Sequence, residues 1–255
     1  MPDHIRACLF DLDGVLTATA AVHARAWQQV FDEFLRRRAA ATGGTVTPFD
    51  PAGDYDRYVD GRSRADGVRT FLHARGITLA EGGPADPAGA DTVHGLSNAK
   101  NELLLRLLAT DGVASYPGSV RYLDAVTAAG LPTAVVSASA NCRQVLAAAG
   151  LAGRFAAVVD GVVAEQEQLA GKPAPDTYLA AARMLGIPPA AAAVYDDALA
   201  GVRAGRAGRF GWVVGVDRAG QAADLMVAGA DIVVTDLADL LSGPTTLVAA
   251  GPAPE

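Results

Sequence analysis

The feature that most constrains the fold is a change of rhythm along the chain. After Asp111, short apolar runs alternate with amphipathic stretches. Val120 to Ala129 reads as a helix, Thr133 to Ser137 as a strand, Cys142 to Ala149 as a helix and Ala156 to Val159 as a strand. Asp176 to Leu185 and Leu199 to Ala207 read as helices, each followed by a strand, at Ala192 to Tyr195 and Trp212 to Val216, with a last strand at Asp231 to Val234. Such alternation predicts a parallel sheet covered on both faces. One strand stands apart: Ala7 to Leu12 is a buried apolar run that stops at Asp13-Gly14.

Between that strand and the rest lies a helical block. Val22, Ala26, Trp27, Val30, Phe31, Phe34 and Leu35 recur at three- and four-residue steps, which predicts a helix over Ala21 to Arg38. Arg64 to Ala74 and Lys100 to Leu108 read as further helices, separated by Gly/Pro-rich loops at Thr42 to Asp56 and Glu81 to Asp91. The run Arg36-Arg37-Arg38 reads as cations closing a helix C-terminus, where they complement the macrodipole. The expected architecture is therefore α/β: a Rossmann-like parallel-sheet core from residues 1–17 plus 112–255, interrupted by an all-helical cap at 18–111. A Gly251-Pro-Ala-Pro-Glu255 tail follows.

Composition narrows the function. The net charge of −7 argues against a nucleic-acid or anionic-membrane partner, because phosphate backbones are met by Lys and Arg. Only two cysteines occur, Cys8 and Cys142, without metal-ligand spacing. With no signal-like N-terminus and no apolar run of membrane length, a soluble, cytoplasmic, monomeric protein is expected.

In open parallel sheets, ligands sit beyond the carboxyl ends of the strands. The first strand delivers Asp11 and Asp13 to that edge, the second Ser137, and the fourth Asp196 and Asp197. Close carboxylates repel one another and call for a counter-cation or a shared proton. Hard oxygen donors of this kind suit Mg²⁺ with a substrate phosphate. Asp196-Asp197 also precedes a helix, so one can cap it while the other binds metal. Lys172 lies in Gly171-Lys-Pro-Ala-Pro175, whose prolines stiffen the loop. Ser137 and Ser139 sit where a strand meets a helix, and backbone N–H groups there, Ala138 among them, can form an anion site.

Taken in order, these four segments resemble the haloacid dehalogenase superfamily over nearly the whole chain. Within it, Leu16-Thr-Ala-Thr19 with His23 and Ala26-Trp27, Gly61-Arg-Ser-Arg64, Lys100-Asn101 and Ser137-Ala-Ser-Ala-Asn141 are similar to the β-phosphoglucomutase branch. The resemblance implies Asp11 as phosphoryl-accepting nucleophile and Asp13 as general acid/base, with the Asp13 carbonyl, Asp11, Asp196 and Asp197 around Mg²⁺. It implies Ser137, Ala138 and Lys172 on the transferring phosphate. Arg64, Ser139 and Asn141 would bind a second phosphate, with Thr19, His23, Trp27 and Lys100 lining the substrate pocket. The implied reaction converts β-glucose 1-phosphate to glucose 6-phosphate through a bisphosphate, with a sugar-phosphate phosphatase as the alternative. Three positions depart from the pattern. Ala18 stands where Asp is common, Ala140 where Lys is common (with Arg143 the expected substitute), and Asp196 where Glu is usual.

Overall fold

The computed structural model describes residues 1–51 and 53–241, and its organising element is one fully buried strand, β1 (Ala7–Phe10). It pairs in parallel with β2 (Thr133–Val136) on one side and β4 (Ala192–Asp196) on the other. Beyond them lie β3 (Ala157–Val159), β5 (Trp212–Val216) and β6 (Ile232–Val234). Among the described residues the sheet has six strands in the order β3-β2-β1-β4-β5-β6, all parallel. The chain moves outward from β1 to β3, then returns to the other side of β1. That reversal opens a crevice at the carboxyl ends of β1, β2 and β4. The register levels the three ends, because Phe10 lies opposite both Val135 and Tyr195.

Burial on both faces explains the unbroken apolar runs. Cys8, Phe10 and Tyr195 face helices α4 (Pro117–Ala128) and α5 (Cys142–Ala148). Ala7, Leu9 and Val194 face α7 (Asp176–Met184) and α8 (Leu199–Ala207). Ala180, Ala181, Ala182 and Ala204 line the second interface, so its share of alanine brings these helices close to the sheet.

Between β1 and α4 the chain forms α1 (Ala20–Thr42), a π-helical turn (Tyr55–Val59), α2 (Arg64–Ala74) and α3 (Val93–Asp111). These helices bury a separate aromatic cluster in which Trp27 stacks on Phe31 at 4.9 Å and Phe31 meets Phe71 at 4.0 Å between centroids. The two chain segments that enter and leave the block pair with each other. Thr17 bridges Ser115, the Ala18 N–H donates to the Ala114 carbonyl (2.8 Å), and the Tyr116 N–H donates to that of Leu16 (3.0 Å).

Three expectations need correction. Helix α1 runs on to Thr42 and ends at Gly43 with φ 72°, so Arg36 to Arg38 do not lie in its last turn. Arg36 pairs instead with Glu33 (2.7 Å) and Arg37 with Asp91 (2.9 Å). Two short helices were not anticipated, α6 (Gly161–Gln166) and α9 (Ala222–Ala228). The segment read as a loop up to Asp56 already enters the π-helical turn. The Gly251 to Glu255 tail lies outside the described residues. Among those described, no helix is long and apolar enough to cross a membrane.

Candidate active site

Asp11 leaves the end of β1, its N–H donating to the Tyr195 carbonyl at 2.9 Å, and its carboxylate meets the Lys172 ammonium. Lys172 is 3% exposed; its Nζ also donates to Asp196 Oδ2 (2.8 Å) and to the Val136 carbonyl (3.4 Å). Burial alone would pull the ammonium down, but Asp11 and Asp196 outweigh it and hold it well above its ordinary range. Asp11, Asp196 and Asp197 are all buried, with one oxygen from each within 4.8 Å of the others. Burial, with Asp196 and Asp13 nearby, keeps the Asp11 carboxyl well above the usual range despite Lys172. Asp197 is raised for the same reason, by burial and by Asp60, Asp11 and Asp196. One ammonium against three buried carboxylates leaves a deficit of positive charge. Clustered oxygen donors with that deficit fit a hard divalent cation.

Asp196, the last residue of β4, and Asp197 after it divide their work. Asp196 Oδ1 accepts from the Ala198 N–H (2.9 Å), and Oδ2 accepts from Lys172 and from the Tyr178 hydroxyl (2.6 Å). Asp196 thus anchors the lysine and the turn into α8, while Asp197 lies against the β1 loop. At Gly14, with φ 83°, a Cβ would lie 1.6 Å from Asp197 Oδ2, so glycine is required there by both backbone and space.

Asp13 sits two residues beyond Asp11 in a different environment. Its side chain lies outside the carboxylate cluster, accepts from the Thr19 hydroxyl and has His23 Nε2 at 3.6 Å. Thr19 therefore offers no side-chain cap to α1, whose N-cap position it holds. It is 1% exposed and does not line the cleft, so its expected substrate contact is replaced by support of Asp13. Burial, Lys100 and Arg64 lower His23 to about 4 against the pull of Asp13, so the imidazole is neutral near pH 7. Its Nδ1 lies 3.1 Å from Lys100 Nζ, while Nε2 faces Asp13. Burial and Arg64 bring the 2%-exposed Lys100 down to about 7, and its ammonium stands 5.2 Å over the Trp27 ring.

Arg64 is the first residue of α2. The cap Ser63 fixes that helix start: its hydroxyl accepts from the Asp66 N–H (3.2 Å) and donates to the Asp66 carboxylate (2.7 Å). Arg64 Nη1 is buried in the cleft without a hydrogen-bond partner among the described residues. On the opposite wall, the β2–α5 loop uses its own hydroxyls. Ser137 Oγ accepts from the Ser139 N–H (3.1 Å) and Ser139 Oγ from the Asn141 N–H (3.2 Å). The Asn141 amide donates to Asn101 on α3 (2.8 Å), joining the core loop to the helical block. Arg143 is turned away, 2.9 Å from Asp160, and does not line the cleft, so it does not replace the missing lysine at Ala140.

The cleft brings together Asp11, Asp13, Asp197, Ser137, Ala138, Ser139, Asn141, His23, Trp27, Arg64 and Lys100 from the anticipated set. It adds Tyr55 and Asp60, which no motif marks. Burial and the charges of Asp196 and Asp56 raise Asp60 to about 7, against a hydrogen bond from Tyr55.

Residues 5–209 match the haloacid dehalogenase-like hydrolase family. The chain is 57% identical over 244 residues to a β-phosphoglucomutase of Mycobacterium bovis, covering 94% of this chain and 93% of that protein. The chain belongs to the haloacid dehalogenase-like hydrolases, in their β-phosphoglucomutase branch. This hydrolase-family member is also 31% identical to the β-phosphoglucomutase of Bacillus subtilis, over 92% of each chain. Among solved structures, the β-phosphoglucomutase of Clostridium difficile superposes with a TM-score of 0.70 at 24% identity, over 92% of this chain and 93% of that one, and so shares its fold.

Proposed function

We propose that the protein is a β-phosphoglucomutase, moving a phosphoryl group between the 1- and 6-oxygens of glucose through a bisphosphate, with residues 18–111 acting as its cap domain. The observation that carries this reading is the contrast between Asp11 and Asp13. Asp11 is ion-paired to Lys172 within the carboxylate cluster, whereas Asp13 is bonded to Thr19 outside it. Two carboxylates in such different settings suit two roles.

In the first half-reaction an Asp11 oxygen attacks the phosphorus at the 1-position of the bisphosphate, and the bond from phosphorus to the 1-oxygen breaks, leaving glucose 6-phosphate. Asp13 delivers its proton to that departing oxygen. In the second, the 6-hydroxyl of β-glucose 1-phosphate attacks the aspartyl phosphate, Asp13 takes the proton back, and Asp11 is released as the bisphosphate forms again. Lys172, held by Asp196, offsets charge on Asp11 and on the transferring group. Ser137 and the Ala138 N–H, which has no hydrogen-bond partner among the described residues, donate to the phosphoryl oxygens. Mg²⁺, held by Asp11, Asp197 and the Asp13 carbonyl with Asp196 behind them, would supply the remaining charge neutralisation. Arg64, with its unpartnered buried Nη1, and Ser139 receive the second phosphate, and Lys100 adds charge when protonated.

The test is incubation with β-glucose 1-phosphate, Mg²⁺ and a trace of glucose 1,6-bisphosphate, following glucose 6-phosphate and free phosphate separately. Glucose 6-phosphate with little free phosphate is expected. Stoichiometric free phosphate without the isomer would make the protein a phosphatase.

A further inference from the structure

Among the described residues, the cleft contains two charged groups that none of these roles uses, Asp60 and Arg62, and only Asp60 is an anion. Asp60 lies in the turn between the π-helical segment and α2, on the helical side, and lines the cleft with Tyr55. The core carboxylates Asp11 and Asp197 line the same cleft. The turn that carries it is pressed onto the core: at Gly61, with φ 69°, a Cβ would lie 3.0 Å from that of Ala198. The Asp60 N–H donates to the Tyr55 carbonyl at 3.0 Å, which ties the two residues together. Among the described residues Asp60 has no ion pair within 4.0 Å.

An ionised carboxylate accepts at about four positions and donates at none. Beside Tyr55, the Asp60 carboxylate keeps acceptors facing the cleft. Where Asp60 is ionised a phosphate cannot fill them, since two anions in a partly desolvated cleft repel strongly. The cations Arg64 and Lys100 line the same cleft, and the phosphoryl-accepting Asp11 lies at the sheet edge. What lies between two phosphates of a sugar bisphosphate is the ring, whose hydroxyls are donors. We infer that Asp60, held by Tyr55, accepts hydrogen bonds from ring hydroxyls of the sugar and so selects which sugar phosphate the enzyme turns over. This assignment rests on the sugar-phosphate reading of the site.

The test compares the full-length protein with its Asp60→Ala and Asp60→Asn variants on β-glucose 1-phosphate and its 2-, 3- and 4-deoxy analogues. With the unmodified enzyme, removing the recognised hydroxyl lowers kcat/KM about 10- to 100-fold, the range for a hydrogen bond to a charged group. Asp60→Ala reduces the parent substrate by a similar factor and is nearly indifferent to the same deoxygenation. Asp60→Asn, which keeps the shape and one acceptor oxygen, falls between. Mn²⁺ affinity, measured by calorimetry, is expected to be unchanged in both variants. Equal penalties for every deoxy analogue in unmodified and variant enzymes would overturn the assignment, as would a loss of Mn²⁺ affinity without any change in sugar discrimination. An unmodified enzyme that turns over none of the panel overturns the sugar-phosphate reading itself, a result distinct from either.

Discussion

Replacing Lys172 by methionine keeps much of the side-chain volume and removes one charge from the centre of the site. The ammonium is 2% exposed at its side chain and touches two carboxylates, Asp11 and Asp196. Breaking a buried ion pair by deleting one partner costs about 3–5 kcal/mol, because the other charge stays buried and unpaired. For a chain of this size each kcal/mol moves the midpoint by about 2–4 °C, so Lys172→Met should lower Tm by about 6–20 °C near neutral pH. The sign of the pH dependence follows from Asp11, whose carboxyl is already held above the usual range and loses its main stabilising charge in the variant. A raised folded-state pKa means that the folded protein binds more protons than the unfolded chain between the ordinary and raised values, and stability falls as pH rises through that window. The deficit of Lys172→Met should therefore be largest near neutral pH and shrink on acidification, as Asp11 becomes protonated in the fold. Circular-dichroism melts of both proteins in chelator give the answer. A drop smaller than about 2 °C near neutral pH, or a deficit that grows on acidification, would refute the electrostatic reasoning.

Asp13→Asn should lower turnover by about 10²–10⁴ while leaving the melting midpoint nearly unchanged, and full activity in that variant would remove its acid/base role. Arg64→Ala should reduce isomer formation more than hydrolysis of a simple phosphate monoester, measured side by side; equal losses speak against a second-phosphate role. Asp197→Asn should weaken Mn²⁺ binding by more than about tenfold in calorimetry, the lower end of what partners one step removed from a metal produce. Lys100 titrates near 7 in the fold, so kcat/KM should fall as pH rises through that value, and Lys100→Met should lack this limb. Because its folded pKa lies below the ordinary 10.5, the unfolded chain binds the extra proton between about 7 and 10.5, and Lys100 makes the protein gain stability over that interval. Melts of Lys100→Met should lack that gain.

The parts of the site that sit at strand ends were legible because a strand's end is fixed by where its apolar run stops. Asp11, Ser137 and Asp196-Asp197 all follow such runs, and parallel topology brings them to one edge. Helices with a periodic buried face were equally readable, α2 and α8 to the residue. The two helices that escaped notice are short and show little of such a face, α9 burying only Leu225 and Ala228. Helix α6 buries none of its residues, and α9 leaves Val227 86% exposed. Asp60 and Tyr55 escaped for another reason. Their segment is rich in Asp, Gly and Tyr without periodicity, and only the docking of Gly61 beside Ala198 carries them into the cleft. Likewise, no local pattern marks Tyr178, a helical residue packed against the sheet, as a donor to Asp196. The fate of Thr19 is similar, since its hydroxyl could cap a helix or support Asp13, and only the fold decides.

The paired segments at Leu16 to Ala18 and Ala114 to Tyr116 bear on how such an enzyme can change its substrate. The helical block enters and leaves the core side by side, tied by backbone hydrogen bonds that depend on no particular side chain. A chain whose ends are already together can be lengthened, shortened or exchanged at little further cost in closure entropy. Asp11, Asp13, Ser137, Lys172, Asp196 and Asp197 all lie outside that exchangeable length, while Asp60, Arg64 and Lys100 lie inside it. On the proposed roles, sugar choice and phosphoryl chemistry would be carried on separately replaceable stretches of one gene, joined at a backbone seam. New substrates can arise by grafting a block across that seam without disturbing the catalytic edge.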